Sequence, residues 1–235
     1  MGGKPVDPNC ENCYCKPDIL FREMPEEDIA VINMRKTCRQ FKKGQIIFHE
    51  GQHASGLYCI NSGKIKLYKT SYEGREQIVR LCKPGEVLGY RAVISDRPYA
   101  ASASTLEDSV VCQIPRKEFF KQIEKNPAVA LNLIKSLSQE LRTAEDRMMK
   151  LAQKSVRERL AETLIILKET YGLDDDSALS ISLSREDLAN IVGTATETVI
   201  RLLADFKKED LINTKGKRIQ LVDEKGLHKA GNIVD

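Results

Sequence analysis

No window of about 18 consecutive apolar residues occurs in this 235-residue chain, which excludes a membrane-spanning helix read from sequence. The start, Met1-Gly2-Gly3-Lys4-Pro5-Val6-Asp7, lacks the apolar stretch of a secretory signal, and Val6 stands where a myristoylation signal wants Ser or Thr. A cytoplasmic protein with no membrane partner is expected. No phosphate-binding glycine loop, metal-protease motif or nucleophile elbow appears, so no catalytic activity is expected either. The chain also has little excess charge: a net +3 is too small to argue for nucleic acid by itself. From Lys154 onward acidic residues even slightly outnumber basic ones. Locally the balance differs. Arg201, Lys207, Lys208, Lys215, Lys217 and Arg218 lie close together, and Asp174, Asp175 and Asp176 read as a separate acidic loop.

What is present suits a globular protein of two compact domains, with 41% apolar and 30% charged residues. An odd count of 7 cysteines in a reducing compartment argues against disulfides. Cys10, Cys13 and Cys15 crowd together, whereas Cys38, Cys59, Cys82 and Cys112 are scattered. Cys38, Cys59 and Cys82 sit in strand-like or apolar contexts expected of small core residues. A thiol-redox enzyme would have only Cys10-x-x-Cys13 in its favour, with no βαβ pattern around it.

From about Arg39 to Ile114 short apolar or alternating runs such as Gln45-Ile46-Ile47-Phe48, Gly56-Leu57-Tyr58-Cys59-Ile60 and Lys64-Ile65-Lys66-Leu67-Tyr68-Lys69 are separated by Gly44, Gly51, Gly63, Gly74 and Gly85. That spacing predicts a small antiparallel sandwich or roll, with a hairpin turn at Tyr72-Glu73-Gly74-Arg75. Helix follows: a short one over Arg116 to Lys125, then a longer one with Asn126 as cap and Pro127 as first residue. Ala130, Ile134, Leu137, Leu141, Ala144, Met148 and Leu151 step alternately by four and three, which is a heptad seam flanked by charges. A helix of this length reaches roughly 40 Å. Such a stripe favours a partner helix in a parallel dimer over packing on its own domain. A hinge near Gln153 to Ser155 would lead into a further helical region, Val156 to Glu169.

Near the C-terminus, Ser184-Arg185-Glu186-Asp187 opens a helix in capping-box style, with Leu188, Ile191 and Val192 facing inward. Gly193 breaks it, and Thr194-Ala195-Thr196-Glu197 opens another, again in capping-box form. Two short helices about a Gly turn are the signature of a helix-turn-helix. In the second, Val199, Leu202, Leu203 and Phe206 point inward, while Thr196, Glu197, Ile200, Arg201 and Asp205 point outward. Side chains on the first turns of such a helix reach base edges in the major groove. There Glu197 accepts from a cytosine amino group, Arg201 donates twice to guanine, and Ile200 suits a thymine methyl. Leu211 to Thr214 and Arg218 to Val222 flank Lys215-Gly216-Lys217, a winged-helix hairpin whose lysines reach phosphates. The competing reading is a generic amphipathic helical pair with a Glu197–Arg201 surface ion pair.

The run Thr196-Glu197-Thr198-Val199-Ile200-Arg201-Leu202-Leu203, preceded by Leu183-Ser184-Arg185-Glu186-Asp187-Leu188-Ala189, resembles the DNA-binding region of the Crp/Fnr family of bacterial regulators. Phe41-Lys42-Lys43-Gly44-Gln45, Leu57 to Ile65 and Lys83-Pro84-Gly85-Glu86-Val87-Leu88-Gly89 resemble its effector β-roll, so the likeness covers nearly the whole chain. It implies an α+β fold with an N-terminal, antiparallel, cyclic-nucleotide-binding-like β-roll, a long dimerisation helix and a C-terminal winged helix-turn-helix. The expected division is a cysteine-containing segment 1–20, a β-roll 21–125, a dimerisation helix 126–153 and a DNA-binding domain 154–235. The expected dimer seam is Ile134, Leu137, Leu141, Ala144, Met148 and Leu151. The expected DNA-contacting set is Ser184, Arg185, Thr196, Glu197, Thr198, Ile200, Arg201, Lys215 and Lys217. The resemblance further implies a palindromic site in double-stranded DNA with a TGA core, and RNA polymerase as a partner of the homodimer.

Members that bind cyclic AMP carry a Gly-Glu pair and, some ten residues later, Arg-Ser or Arg-Thr for the phosphate. Here Tyr90 follows Gly89, and Ala100-Ala101 occupies the later pair. A phosphate without a cation there would be poorly compensated, so cyclic AMP is not the expected ligand. Gly89, Tyr90, Arg91, Arg97, Ala100 and Ala101 remain the residues lining any effector pocket, in which another small molecule or nucleotide is the alternative. Oxygen-sensing Fnr proteins use three N-terminal cysteines and one in the β-roll. Cys10, Cys13 and Cys15, with Cys112 in Val110-Val111-Cys112-Gln113-Ile114-Pro115, resemble that set, and four thiolates suffice for a [4Fe–4S] cluster. Cys13 and Cys15 stand one residue apart where the Fnr pattern has five. A zinc or thiol-redox site, or plain tail thiols, are the other readings. The expected mechanism is a population shift in which the effector moves the long-helix seam and so respaces two recognition helices.

Overall fold

The computed structural model describes residues 3–8 and 24–233. The chain forms two compact units, Met1–Gly74 with Val79–Arg142, and Arg75–Ile78 with Thr143–Asp235.

In the first unit the glycine-punctuated runs become strands of two sheets. One has the order β1 (Lys4–Val6), β2 (Thr37–Phe41), β9 (Ser109–Pro115), β4 (Gly56–Ser62), β7 (Val87–Leu88), and its pairings are all antiparallel. The other has the order β3 (Ile46–Phe48), β8 (Ser102–Thr105), β5 (Ile65–Thr70), β6 (Glu76–Cys82). The apolar run in β4 is unbroken because both faces are covered, and Leu57 and Ile60 have no exposed surface. Gly56 is required where β4 meets β9: a Cβ there would stand 2.3 Å from the Ile114 carbonyl oxygen. An aromatic stack of Phe48 on Tyr99, ring centroids 4.2 Å apart, fills the interior. The β5–β6 reversal falls at the expected place, where Gly74 takes a left-handed φ of 79° and its N–H donates to the Ser71 carbonyl.

Several elements had no counterpart in the sequence reading, and two of them lie toward the N-terminus. Strand β1 carries Pro5 and lies at the sheet edge, where a missing N–H is tolerated. Helix α1 (Glu26–Arg35) is pinned through Asp28, a buried carboxylate that accepts from Lys125 Nζ at 2.6 Å and Asn126 Nδ2 at 3.0 Å. The Lys125 bond holds the Asp28 carboxyl below the usual carboxylate range.

The cysteine reading needs correction. Cys38 and Cys112 are opposed in the β2–β9 register, both on a buried face, and they form a disulfide. Neither a lone core thiol at Cys38 nor a free thiolate ligand at Cys112 describes this state. Register is the reason, since directly opposed positions point their side chains the same way at close range. Cys59 and Cys82 are buried free thiols, and burial pushes the Cys82 thiol up. Cys10, Cys13 and Cys15 lie outside the described residues.

Strand β9 passes directly into α3 (Arg116–Lys125), and Asn126 separates α3 from the 27-residue α4 (Pro127–Gln153). Val129 and Leu133 bury one face of α4 in the first unit's core, with Leu137 partly buried beside them. Ile134 at 60%, Leu141 at 61% and Met148 at 63% stay exposed.

The second unit begins with the end of α4. Ser155 caps α5 (Val156–Tyr171) in a full capping box with Glu158. The joint between the helices is held by the mostly buried Glu162, whose carboxylate meets Lys150 Nζ at 2.9 Å and Lys154 Nζ at 3.1 Å. Arg159 donates from Nη1 to the Lys154 carbonyl and from Nε to the Val192 carbonyl. Leu160, Leu164 and Ile165 are buried on α5, which packs against α6 (Arg185–Val192) and α8 (Glu224–Ala230), while α7 (Thr196–Lys208) packs on α6 and on the hairpin β10 (Ile212–Lys215)–β11 (Arg218–Leu221).

Candidate nucleic-acid interface and effector region

Ser184 caps α6 as its sequence predicts: its Oγ accepts from the Asp187 N–H, and the Asp187 carboxylate accepts from the Ser184 N–H. That hydroxyl also donates to Asp187 Oδ2 at 2.6 Å, so it is engaged within the cap. Gly193 ends the helix at φ 74°, a left-handed conformation that costs glycine nothing. The second cap is not as expected. Helix α7 starts at Thr196 behind Ala195, with no side-chain cap, because the Thr194 N–H is turned back onto the Ala189 carbonyl in the close of α6.

Helix α7 sorts its residues as its pattern requires. Val199, Leu202, Leu203 and Phe206 are buried, whereas Glu197, Ile200 and Arg201 are exposed and Thr196 and Thr198 half-buried. Arg201 leans toward Asp205, one turn on, at 4.0 Å. Arg157 lies over the Phe206 ring at 4.6 Å and pairs with Glu209, which fixes the helix from behind. In the hairpin, Lys215 and Lys217 flank Gly216 and are exposed. Arg185 joins α6 to this wing by donating from Nη2 to the Gly216 carbonyl at 3.0 Å.

Arg218 departs from the expected basic cluster. Its guanidinium pairs with Asp174 at 2.7 Å and Asp176 at 2.9 Å, so the acidic loop is not separate but attached to the wing. The bridge between Ala178 and Gln220 brings the loop alongside β11.

Two family models match the chain. The cyclic nucleotide-binding domain covers residues 38–126 and the Crp-like helix-turn-helix domain covers residues 158–230. The chain is 30% identical over 216 residues to Regulatory protein HlyX of Actinobacillus pleuropneumoniae, a match covering 91% of this chain and 90% of that one. The chain belongs to the Crp/Fnr family of transcription regulators. It is likewise 30% identical to the Fumarate and nitrate reduction regulatory protein of Yersinia pestis, over 95% of this chain and 91% of that one. Among solved structures, FixK2 from Bradyrhizobium japonicum superposes with a TM-score of 0.76 at 27% identity, covering 85% of this chain and 99% of that one. This Crp/Fnr chain therefore has the family's α+β architecture and is a DNA-binding regulator of transcription.

The Crp/Fnr effector region is wired rather than open at Tyr90. Gly89 takes φ 79° and opens α2 (Tyr90–Ser95), which turns the Tyr90 ring into the core. The Tyr90 hydroxyl donates to Glu140 Oε1 of α4 at 2.7 Å and lies 3.2 Å from Ser136 Oγ. Arg80 on β6 holds the same carboxylate at 2.6 Å with one nitrogen and Glu86 at 2.9 Å with another. Burial, with the bond to Glu140, raises the Tyr90 phenol to about 12, so it stays a donor at any ordinary pH. Arg91 is exposed, 3.8 Å from Glu140, and Arg97 and Ala100 are exposed, with Ala101 half-buried. The carboxylate that sequence reasoning missed is Glu140. It reads as one of the charges around the seam, and its partners lie 50 and 60 positions away.

Of the four cysteines expected to hold an iron–sulfur cluster, Cys112 alone lies among the described residues. The bonding valence of the Cys112 sulfur is spent on Cys38, and the residue is 2% exposed. Among the described residues no group of three or more His, Cys, Asp or Glu could hold a metal ion.

Proposed function

We propose that the chain acts as a symmetric homodimer in the cytoplasm, inserting α7 of each subunit into the major groove at half-sites one helical turn apart. The observation that carries this reading is the sorting of α7: Glu197, Ile200 and Arg201 face solvent opposite the buried Val199, Leu202, Leu203 and Phe206. In that pose Arg201 reads guanine, Glu197 accepts from cytosine, and Ile200 meets a thymine methyl, which together suit a TGA core. Thr196 and Thr198 lie on the same first turn. Lys215 and Lys217 contact phosphates from the wing, where Arg185 holds the turn through its bond to Gly216. Ser184 acts through its cap. The exposed residues Ile134, Leu141, Ala144, Met148 and Leu151 form the seam, with Leu137 shared between seam and core. As a working division, 21–125 senses, 126–153 dimerises and 154–235 binds DNA, where RNA polymerase is recruited or blocked.

For the effector, the absence of a cation at Ala100-Ala101 and the inward turn of Tyr90 speak for something other than a cyclic phosphate. A cluster on Cys10, Cys13, Cys15 and Cys112 has one precondition that follows from the structure: the Cys38–Cys112 bond must first be reduced. Selection from random DNA is the test, and it should enrich a two-fold symmetric site. Arg201→Ala should then weaken binding by about 1–3 kcal/mol and relax one guanine position. Enrichment of no symmetric site, or unchanged preference in that variant, would refute the assignment.

A further inference from the structure

Three cysteines share one rung of the first sheet. Cys112 on β9 is directly opposite Cys38 on β2 and, on its other side, directly opposite Cys59 on β4. Opposed residues of an antiparallel sheet project to the same face, and Cys38 and Cys112 stand 3.9 Å apart at Cα, so the side chains come in the order Cys59, Cys112, Cys38. All three are buried, at 5%, 2% and 4% exposure. Cys112 is bonded to Cys38, and Cys59 keeps a free thiol next to that bond. The row order places Cys59 on the side of Cys112 opposite Cys38, the side from which a thiolate displaces a leaving sulfur.

We propose that this rung is a thiol–disulfide exchange site in which Cys112 is the shared sulfur, bonded to Cys38 in one state, to Cys59 in a second, and to neither when reduced. In the exchange step the Cys59 thiolate attacks Cys112 Sγ. The Cys59–Cys112 bond forms as the Cys112–Cys38 bond breaks, and Cys38 leaves as a thiolate that takes up the proton Cys59 gave up. One disulfide exists before and after, so no outside oxidant takes part. Full reduction takes two electrons and two protons from two low-molecular-weight thiols, which leave joined as a disulfide; oxidation is the reverse. The exchanged bond is as buried as the first, so the step changes which strand β9 is tied to rather than how accessible the disulfide is.

The regulatory meaning rests on the reading of the chain as a cytoplasmic regulator, since a disulfide in that reducing compartment is a responsive bond rather than a permanent brace. Strand β9 runs directly into α3 and then α4, so the partner chosen by Cys112 decides which neighbouring strand is covalently tied to the strand leading to the seam.

The test uses the full-length protein in glutathione buffers of graded reduced-to-oxidised ratio, acid-quenched, differentially alkylated and mapped by peptide mass. Wild type should show a Cys38–Cys112 disulfide whose occupancy follows the ratio. In Cys38→Ser the disulfide should move to Cys59–Cys112, and in Cys112→Ser no disulfide should join Cys38 to Cys59. Cys59→Ser should keep Cys38–Cys112 as its only disulfide at every ratio. Cys82, buried and free on β6 of the other sheet, is the internal control and should stay out of every crosslink. A Cys38→Ser protein with wild-type circular dichroism whose Cys59 and Cys112 both remain thiols under oxidising ratios would overturn the proposal. Should that variant not fold, Cys38→Val carries the same test at a buried position. DNA affinity measured on the same samples separates the two claims: exchange without DNA binding in any state sinks the regulator reading alone, and DNA binding without exchange sinks the rung alone.

Discussion

Helix α7 and the segment from Gly89 to Ala101 are the two places where the sequence points to a ligand, and their side chains have gone opposite ways. On α7 the polar and apolar residues not needed for packing, Glu197, Ile200 and Arg201, are left in solvent with no partner closer than the Arg201–Asp205 approach of 4.0 Å among the ion pairs described. At the effector region the leading residue, Tyr90, is turned inward and bonded to the chain's own Glu140 and Ser136. On the proposed reading the outward residues of α7 are left for DNA, whereas Tyr90 already has its partners inside the chain. The second region is built to fix the long helix, and Tyr90, Arg80 and Glu140 form the fixture.

The contrast can be broken at the outward surfaces first. Leu141→Glu, at a side chain 61% exposed, should leave the monomer fold intact and give a monomer by analytical ultracentrifugation, with DNA affinity falling at least a hundredfold on the proposed dimer reading. A dimer that persists would remove the seam. The next largest effect is expected at the inward fixture. Glu140→Ala strips Arg80 and Tyr90 of a shared acceptor, and since Arg80 and Glu140 keep partial solvent access, a loss of about 2 kcal/mol is expected in the first unit's denaturation. The second unit's unfolding, followed separately, should not shift. Equal loss in both would show that the two regions are not distinct in this way. Tyr90→Phe is the smallest, about 1 kcal/mol for one bond to a partly exposed carboxylate. It also has a pH signature. A phenol raised from 10.0 to about 12 contributes stability that is complete below pH 10 and lost as pH rises through about 12. The wild type should therefore lose its advantage over Tyr90→Phe across that interval, as thermal melts in alkaline buffers would show.

The elements set by local chemistry were legible from sequence: the helix from Arg116 to Lys125, the Pro127 start, the Ser184–Asp187 box, the apolar face of α7 and the Gly216 hairpin. Each is decided by residues within a few positions of one another. What stayed hidden depends on register or long-range pairing. Nothing near Cys38 indicates that it faces Cys112, 74 positions away, because a shift of one residue in either strand would send the two sulfurs to opposite faces. Arg218 reads as one more basic side chain until the Asp174–Asp176 loop is folded onto it. Thr194 has the right residue type and spacing for a cap, yet its backbone is committed to closing the preceding helix. Strand β1 is three residues long with a proline in its middle, too short for any alternation to show.

The elbow at Lys154 has a mechanical consequence. A loose linker would absorb a twist, but here the α5 carboxylate Glu162 clasps Lys150 at the end of α4 and Lys154 in the bend, while Arg159 bolts the same spot to the end of α6. The last turn of α4 and the first turns of α5 are thus tied by charge as well as by backbone, so rotating one arm about the bend means breaking ion pairs at Glu162.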